Sequence, residues 1–374
     1  MSLKAVPCVI MRGGTSKGIF FKKENLPPEG TERDRVIMKI FGSGDPSQID
    51  GLGGSRTHTS KTMIVWKSNR SDVDVEYTFG QVGIENAFVD WTGNCGNLTS
   101  AVAPFAIDKK LLEAEQPYTV VRMYNTNTKK RIDVKVPVEG NSTKYEGDYQ
   151  IDGVPNPGAR IDAKWRDPGG AITGKLLPTG NPVDKIDTGL EAVTGSIVDA
   201  SNPAVFIRAK EIGLSGRELP EEISGDSQAK LERIRSKAAE IIGFVEEARD
   251  AIRKSPHFPY IIIVAENQDY ETSEGQVVKN FEYSILARLF SMQKMHHSYA
   301  VTGAICTGAA AKIPGSIVNR LLAEGENRVV IGHPKGVIDV NVEAVLAGEG
   351  VEIKSVTVGR TARRLMAGRA YYIP

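Results

Sequence analysis

The sequence is poor in several features that mark particular classes of protein. It has three cysteines in 374 residues (Cys8, Cys95 and Cys306), and an odd, widely spaced set of this kind does not predict a disulfide framework. No apolar run approaches the roughly 18 residues that a membrane-spanning helix needs, and the N-terminus lacks the long apolar core of a secretory signal. We therefore expect a cytoplasmic protein without a membrane partner.

An excess of charge of one sign is also lacking. The chain has 47 lysines and arginines against 46 aspartates and glutamates, a net charge of +1, and no basic block with interleaved aromatic residues, so a nucleic-acid partner is not expected. Its five histidines show no metal-ligand spacing, and we predict no metal site. The length is sufficient for two domains with separate cores.

The most informative segment is Gly93-Asn94-Cys95-Gly96-Asn97, followed by small apolar residues up to Ile107. This pattern predicts a turn and then a buried helix, with a thiol at the helix N-terminus. The free amides and the positive end of the helix dipole favour the thiolate there and also bind carboxylates. The alternative is a structural cysteine in a turn before a helix.

Two further loops carry residues suited to chemistry. Residues 12–18 (RGGTSKG) lie between two predicted strands; because no helix follows Lys17, the segment is not an ATP-binding P-loop, and we interpret it as a hairpin for a small anion or as a plain turn. Lys61 stands between a loop rich in glycine and hydroxyl groups and the apolar strand 62–66. Partial burial would lower its pKa and make it a usable base, whereas a lysine at such a strand entrance is usually solvated.

A second cysteine segment resembles the first. In residues 302–314 (TGAICTGAAAKIP), Cys306 precedes an alanine-rich stretch, which suggests two similar halves, each with a helix N-terminus that presents a cysteine. Between the halves, residues 153–182 are rich in glycine and proline and predict loops and a crossover. The apolar spacing within residues 227–253 predicts one long helix.

Several segments together resemble the PrpF family over nearly the whole chain. They are Met11-Arg12-Gly13-Gly14-Thr15-Ser16-Lys17-Gly18, Gln48-Ile49-Asp50-Gly51-Leu52-Gly53-Gly54, Thr59-Ser60-Lys61, Gly93-Asn94-Cys95-Gly96-Asn97, Gly332-His333-Pro334 and Arg360-Thr361-Ala362-Arg363-Arg364-Leu365-Met366.

The resemblance implies an α+β fold of two similar diaminopimelate epimerase-like domains. Each would be a barrel-like, mostly antiparallel sheet around a central helix, with the active site in the cleft between them. We place the first domain at residues 1–183, with Lys61 and Cys95, and the second at residues 184–374, with Cys306. The C-terminal strands are allowed to return to the first domain.

The resemblance also implies a cofactor-free isomerase that moves a double bond by 1,3-proton transfer in a small unsaturated di- or tricarboxylate. The family includes methylitaconate Δ-isomerase, to which the chain looks most similar, 2-methylaconitate isomerase and 4-oxalomesaconate tautomerase. Its acid/base pair maps onto Lys61 and Cys95, with the base and the acid not distinguished, and Cys306 takes the second cysteine position of the epimerase. A homo-oligomer is compatible with this assignment.

A carboxylate is bound by hydrogen-bond donors such as backbone amides and hydroxyl groups. The loops described above provide both. The candidate substrate-binding residues are Thr15, Ser16, Lys17, Ser60, Asn94, Gly96, Asn97, Thr302, Gly303 and Cys306. Two other classes of protein stay open: an amino acid racemase or epimerase that uses Cys95 and Cys306 on opposite faces of an α-carbon, and a carboxylate-binding protein without catalysis.

Overall fold

A computed structural model describes residues 2–322, 327–347 and 350–374. The chain divides into two compact units. The first consists of the residues up to Lys164 together with Gly359–Pro374, and the second is Trp165–Val358. Within these described ranges no helix has the length and apolar character needed to cross a membrane.

The described residues form mostly strands, with few helices. In chain order the helices are α1 (Thr31–Phe41), α2 (Gly96–Asp108), α3 (Gly225–Ile241), α4 (Ala251–Lys254) and α5 (Val301–Ala311). The strands are β1 (Lys4–Gly13), β2 (Ser16–Lys22), β3 (Lys61–Lys67), β4 (Val75–Val82), β5 (Val89–Asp90), β6 (Tyr118–Asn125), β7 (Lys130–Glu139), β8 (Ser142–Thr143), β9 (Ile161–Arg166), β10 (Asp184–Asp187), β11 (Ala192–Ala200), β12 (Asn202–Arg208), β13 (Tyr260–Ala265), β14 (Tyr270–Glu271), β15 (Val277–Val278), β16 (Ile285–Ser291), β17 (Lys294–Met295), β18 (Arg328–His333), β19 (Gly336–Ala347), β20 (Gly350–Arg360) and β21 (Ala362–Tyr372).

The first unit wraps a sheet around α2. The strand order is β21-β1-β2-β3-β4-β6-β7, and neighbours are antiparallel except β2–β3 and β4–β6, which are parallel. Helix α2 packs against strands at both ends of this order, including β1, β7 and β21. Its residues from Gly96 to Ile107 are all buried, as expected of a helix that is small and apolar on every side.

The second unit repeats this arrangement around α5. Its strand order is β10-β11-β12-β13-β16-β18-β19-β20, again antiparallel except at the third and fifth pairs, β12–β13 and β16–β18. All residues of α5 are buried, and the helix packs against β11, β12, β18 and β19. The predicted α+β fold of two similar halves, each with a central helix, is confirmed. The boundary after residue 183 and the cleft between the domains stay predictions.

Glycine and local capping explain where one predicted helix ends. The helix predicted over residues 227–253 is wrong in its extent, because α3 stops at Ile241. Gly243 then adopts a left-handed conformation with φ 75°, which ends a helix. The N-terminus of α3 is capped by Ser224, whose side chain accepts a hydrogen bond from the amide of Ser227.

The segment 153–182, predicted as loops, contains one strand. Strand β9 buries alternate residues, Ile161, Ala163 and Trp165, which is the period of a half-buried strand. The alternating pattern is short and is flanked by glycine and proline on both sides. The overall composition of the segment therefore predicted loops, and the strand was missed.

Removal of a ring from the core around α2 tests this packing. Phe105 of α2 is 2% exposed and lies 5.6 Å from the ring of Phe20, measured between centroids. We expect Phe105→Ala to lower the free energy of unfolding by about 3–5 kcal/mol in urea titrations, because the cavity does not close completely. Phe281 is 82% exposed, and Phe281→Ala should change it by less than about 0.5 kcal/mol. Equal effects of the two variants would contradict the central position of α2.

Candidate active site

The N-terminus of α2 presents both a thiol and free amides. Cys95 is the N-cap residue, with extended backbone angles, and its side chain makes no capping hydrogen bond. The amides of the first helical turn have no acceptor within the helix, and the positive end of the dipole lies there. Cys95 is partly exposed, whereas Cys8 and Cys306 are buried. The thiol therefore stands at the accessible end of an otherwise buried helix.

The β1–β2 hairpin closes against this helix end. The amide of Thr15 donates to Oδ1 of Asn97 at 3.3 Å, and Oγ of Ser16 lies 3.8 Å from Sγ of Cys95. The approach depends on glycine, because a Cβ at Gly13 would lie 2.5 Å from the carbonyl oxygen of Asn97. The structure thus brings four of the predicted site residues together.

Lys61, the first residue of β3, is only 8% exposed. Its Nζ donates a hydrogen bond to Oε1 of Gln81, the residue opposite it on β4, and lies 5.1 Å from the centroid of the Phe79 ring. Burial lowers the pKa of Lys61, and Coulomb attraction to Cys95 and then to Asp90 opposes this shift. Lys61 and Cys95 therefore interact electrostatically within one site.

Two buried glutamines, which the sequence analysis missed, organise the surroundings of Lys61. The Nε2 of Gln81 donates to the carbonyl oxygens of Ser60 at 2.9 Å and Thr57 at 3.1 Å. The Nε2 of Gln48 donates to Oγ of Ser60 at 2.9 Å. Ser60 has no exposed surface and supports the lysine loop through these contacts; the substrate contact predicted for it stays a prediction.

A signal for Gln81 was present in the sequence. Val75, Tyr77 and Phe79 are buried at alternate positions of β4, and Gln81 continues the same parity with a polar side chain that is 3% exposed. A polar residue on the inward face of an apolar strand needs a specific partner. Gln48 offered no comparable pattern.

The remaining candidates of the first unit serve different purposes. The Nδ2 of Asn94 donates to the Tyr77 hydroxyl at 3.0 Å, and its Oδ1 accepts from the Thr99 hydroxyl at 3.2 Å, so this side chain holds the turn before Cys95. Gly96 is the first, buried residue of α2 and contributes an open amide. The Lys17 amide donates to the carbonyl oxygen of His58 at 2.9 Å.

Cys306 does not repeat the placement of Cys95. Helix α5 begins at Val301, after the N-cap Ala300, so the expectation that Cys306 precedes a helix is wrong. Gly303 lies within this helix, where a Cβ would stand 2.2 Å from Cδ1 of Leu289. The Cys306 thiol donates to the carbonyl oxygen of Val198 at 3.3 Å, and burial raises its pKa.

The other candidate residues of the second unit lie in the first turn of α5. Thr302 and Gly303 are both buried there. The hydroxyl oxygens of Thr302 and Tyr260 are 3.2 Å apart. The Thr302 side chain thus contacts the core of its own unit.

The repeated topology identifies which residues of the second unit correspond to the site. Gln81 pairs with Lys61 on one side and Asp90 on the other, as Phe290 pairs with Ile261 and Met295. The corresponding residues of the second unit are thus Ile261 for Lys61, Phe290 for Gln81 and Ala300 for Cys95. At these three positions the second unit has apolar residues where the first unit has an acid/base or polar group.

The architecture is that of epimerase-like enzymes. A crystal structure of hydroxyproline epimerase from Agrobacterium vitis superposes with a TM-score of 0.53 at 9% identity, covering 98% of this chain and 92% of that chain. At this identity the likeness concerns the fold alone.

Closer relatives identify the family. A family model described as PrpF protein matches residues 3–373. The 3-methylitaconate isomerase of Eubacterium barkeri is 46% identical over 371 residues, 98% of this chain and 97% of that protein; the 2-methyl-aconitate isomerase of Shewanella oneidensis is 38% identical over 381 residues, 97% and 96%. A crystal structure of methylitaconate-delta-isomerase has a TM-score of 0.83 at 44% identity and covers 100% of this chain and 96% of that chain. The chain belongs to the PrpF family and is an isomerase.

The burial of Lys61 predicts a pH-dependent stability difference. Because folding lowers its pKa below the ordinary 10.5, the unfolded chain binds the extra proton between these two values, and wild-type stability rises with pH in that window. Relative to wild type, the free energy of unfolding of Lys61→Met should therefore be highest at pH values below the lowered pKa. This advantage should disappear as the pH approaches 10.5.

The loss of the hydrogen bond to Gln81 adds a cost that does not vary with pH, so the slope is the informative quantity. Urea titrations from roughly pH 6 to pH 10 measure it. Lys67→Met, at the exposed end of the same strand, is the matched control, with an expected change below about 0.5 kcal/mol. A difference between Lys61→Met and wild type that does not vary with pH would contradict the lowered pKa.

Proposed function

We propose that this chain is a cofactor-independent isomerase that moves a double bond by 1,3-proton transfer in a small unsaturated di- or tricarboxylate, with methylitaconate as the substrate. The observation that carries the proposal is the buried amine of Lys61, which Cys95, at the open N-terminus of α2, attracts electrostatically. The 46% identity to a methylitaconate isomerase favours this substrate over 2-methylaconitate, for which the corresponding identity is 38%.

The reaction needs one proton removed and one returned. In methylitaconate (2-methylene-3-methylsuccinate) the hydrogen on C3 is allylic to the methylene group and α to a carboxylate. A base takes this proton, the double bond moves to C2–C3, and an acid gives a proton to the methylene carbon, which becomes the methyl group of dimethylmaleate. No atom is oxidised or reduced, so acid/base groups are sufficient.

The charge that develops in the dienolate lies partly on a carboxylate oxygen. The open amides of Gly96, Asn97 and Leu98 at the start of α2 are donors for this oxygen, and their fixed orientation avoids reorganisation during the reaction. This assignment uses the backbone of Asn97, since its side chain accepts a hydrogen bond from Thr15.

Lys61 and Cys95 are the proposed proton carriers. The lowered pKa of Lys61 increases the fraction of neutral amine near neutral pH, which a base requires, and also makes its ammonium form a stronger acid. The ammonium of Lys61 and the thiolate of Cys95 carry opposite charges and attract each other. The charge that one group acquires is therefore balanced by the charge of the other. Either order of removal and return fits this pair.

For the second carboxylate we propose Thr15, Ser16 and Lys17 on the hairpin, next to Cys95. Ser16 is buried and lies beside the thiol, and Lys17 adds a cation. Thr302 and Gly303 stay predicted ligands on the second unit. We propose no role for Cys306, whose thiol is fully buried in the middle of α5.

A two-cysteine racemase is disfavoured by the second unit. Such an enzyme needs a cysteine from each half, whereas the N-cap of α5 is Ala300. Because the second unit has alanine at this N-cap, both proposed proton carriers come from the first unit.

Proton NMR in D₂O tests the reaction and the substrate together. Methylitaconate, 2-methylaconitate and 4-oxalomesaconate are offered separately to wild type, and we expect methylitaconate to become dimethylmaleate, with solvent deuterium in the new methyl group. Lys61→Met and Cys95→Ser should each lower kcat by roughly 10²–10⁴-fold, because each removes one proton carrier.

The control is Cys8→Ala, which removes a buried thiol that has no part in the proposed site and should retain activity. Conversion of another of the three acids would change the substrate assignment. Exchange of the α-hydrogen of an amino acid, with all three acids unchanged, would establish a racemase instead. Unchanged turnover in either site variant would remove that residue from the mechanism.

A further inference from the structure

We propose that Gln81 is a positioning residue for the acid/base chemistry: its side-chain amide fixes the Lys61 amine in place through a neutral acceptor. The inference rests on the proposed function, because it concerns the same lysine. Gln81 does not act on the substrate in this account, and its effect is exerted through Lys61.

The orientation of the Gln81 amide is determined by its surroundings. Both hydrogens of Nε2 are directed at backbone carbonyl oxygens, those of Ser60 and Thr57. A rotated amide would place its oxygen against these two carbonyl oxygens, which is repulsive, so Oε1 has to face Lys61. The acceptor for the lysine amine is therefore imposed by the loop that precedes β3.

A neutral acceptor has a specific consequence for a buried lysine. Lys61, Gln81 and Asp90 are cross-strand neighbours on β3, β4 and β5, so their side chains share one face of the sheet, with Gln81 on the middle strand. Asp90 Oδ1 instead accepts from the amide and hydroxyl of Thr92, at 2.8 Å and 2.6 Å. The amine thus gains a fixed position without a direct ion pair, which would favour its protonated form.

The second unit has the same strand pairing but no lysine and glutamine at the corresponding positions. Its corresponding cross-strand pair is Ile261 and Phe290, both buried and apolar. The fold therefore does not require a hydrogen-bonded polar pair at this place. This contrast assigns the Lys61–Gln81 pair to the chemistry of the first unit.

Two substitutions of Gln81 test its two effects separately. One effect is the position of the Lys61 amine, and the other is the absence of charge on its acceptor. Gln81→Leu keeps the approximate size and removes the acceptor, and we expect kcat to fall roughly 10- to 100-fold with KM changed less than about threefold, because the amine is misplaced while the carboxylate ligands remain. Gln81→Glu supplies a charged acceptor, and the titration of the Lys61 amine should move to higher pH by roughly one unit or more.

The Lys61 titration is read directly by NMR of lysines labelled with ¹³C at Cε, with the Lys61 signal assigned by its loss in Lys61→Met. The limb of the pH profile of kcat/KM that follows this titration should move with it in Gln81→Glu. Circular dichroism and thermal melting establish that each variant is folded.

Gln150→Leu is the matched control. The Nε2 of Gln150 also donates to two backbone carbonyl oxygens of a loop, those of Val154 at 2.6 Å and Ile151 at 3.5 Å, and Gln150 has no part in the proposed site. We expect this variant to keep the kcat and the pH profile of wild type.

The outcomes distinguish the two claims. A folded Gln81→Leu with wild-type kcat, or a Gln81→Glu in which neither the Lys61 titration nor the pH profile moves, overturns the inference and leaves the proposed function intact. A wild type that converts none of the three acids overturns the proposed function, and the inference falls with it.

Discussion

The structure of the first unit depends on a helix that is buried along almost its whole length. Backbone groups inside α2 are satisfied by the helix itself, but the amides of its first turn are not. The hairpin of β1 and β2 reaches this end only because glycine is present at Gly13, and its contacts involve Thr15, Ser16 and the Asn97 side chain. The open amides are therefore the proposed anion site of the unit, next to the only partly exposed cysteine of the described chain.

The same constraint accounts for Lys61. A lysine on a strand beside a buried helix loses hydration, which lowers its pKa, and Coulomb attraction to Cys95 and Asp90 partly opposes this shift. A neutral acceptor, Gln81, gives the amine one hydrogen bond without a direct partner of opposite charge. Burial is the source of the altered acidity of this amine.

The two units show how one topology supports two different roles. Their strands follow the same order and the same sequence of parallel and antiparallel pairs, and each surrounds one buried helix. At the positions of Lys61, Gln81 and Cys95 the second unit has Ile261, Phe290 and Ala300. The fold thus does not require polar residues at these three positions.

Much of the fold could be predicted because its signals are local. Helix α1 (Thr31–Phe41) buries residues at helical spacing, among them Val36, Ile37 and Ile40, and it ends at Gly42 in the left-handed conformation, so both of its signals lie within a short segment. The predicted helix over residues 227–253 was too long because its apolar spacing persists past the break at Gly243. Cys306 was misplaced because the alanine-rich stretch after it suggested a helix start there, whereas α5 already begins at Val301.

The site was predictable only where chemistry and local pattern coincide. Cys95 and Lys61 stand in short segments whose glycine, amide and hydroxyl residues are unusual. Gln48 and Gln81 act through residues distant in sequence, on Ser60 and on the lysine loop, and such partners become visible only when the strands are paired. The sequence pattern also does not reveal the hydrogen bonds that Ser60 and the Asn94 side chain make inside the unit; their predicted substrate contacts stay predictions.

Differential alkylation of the three cysteines tests the central claim most directly, namely that the N-terminus of α2 is a carboxylate site that presents Cys95. The rate of modification by iodoacetamide is followed for each cysteine by mass spectrometry, with and without dimethylmaleate. We predict that Cys95 reacts faster than the buried Cys8 and Cys306 and that dimethylmaleate slows Cys95 alone. Modification of Cys95 that is no faster than that of the other two, or is unaffected by the dicarboxylate, would contradict the account.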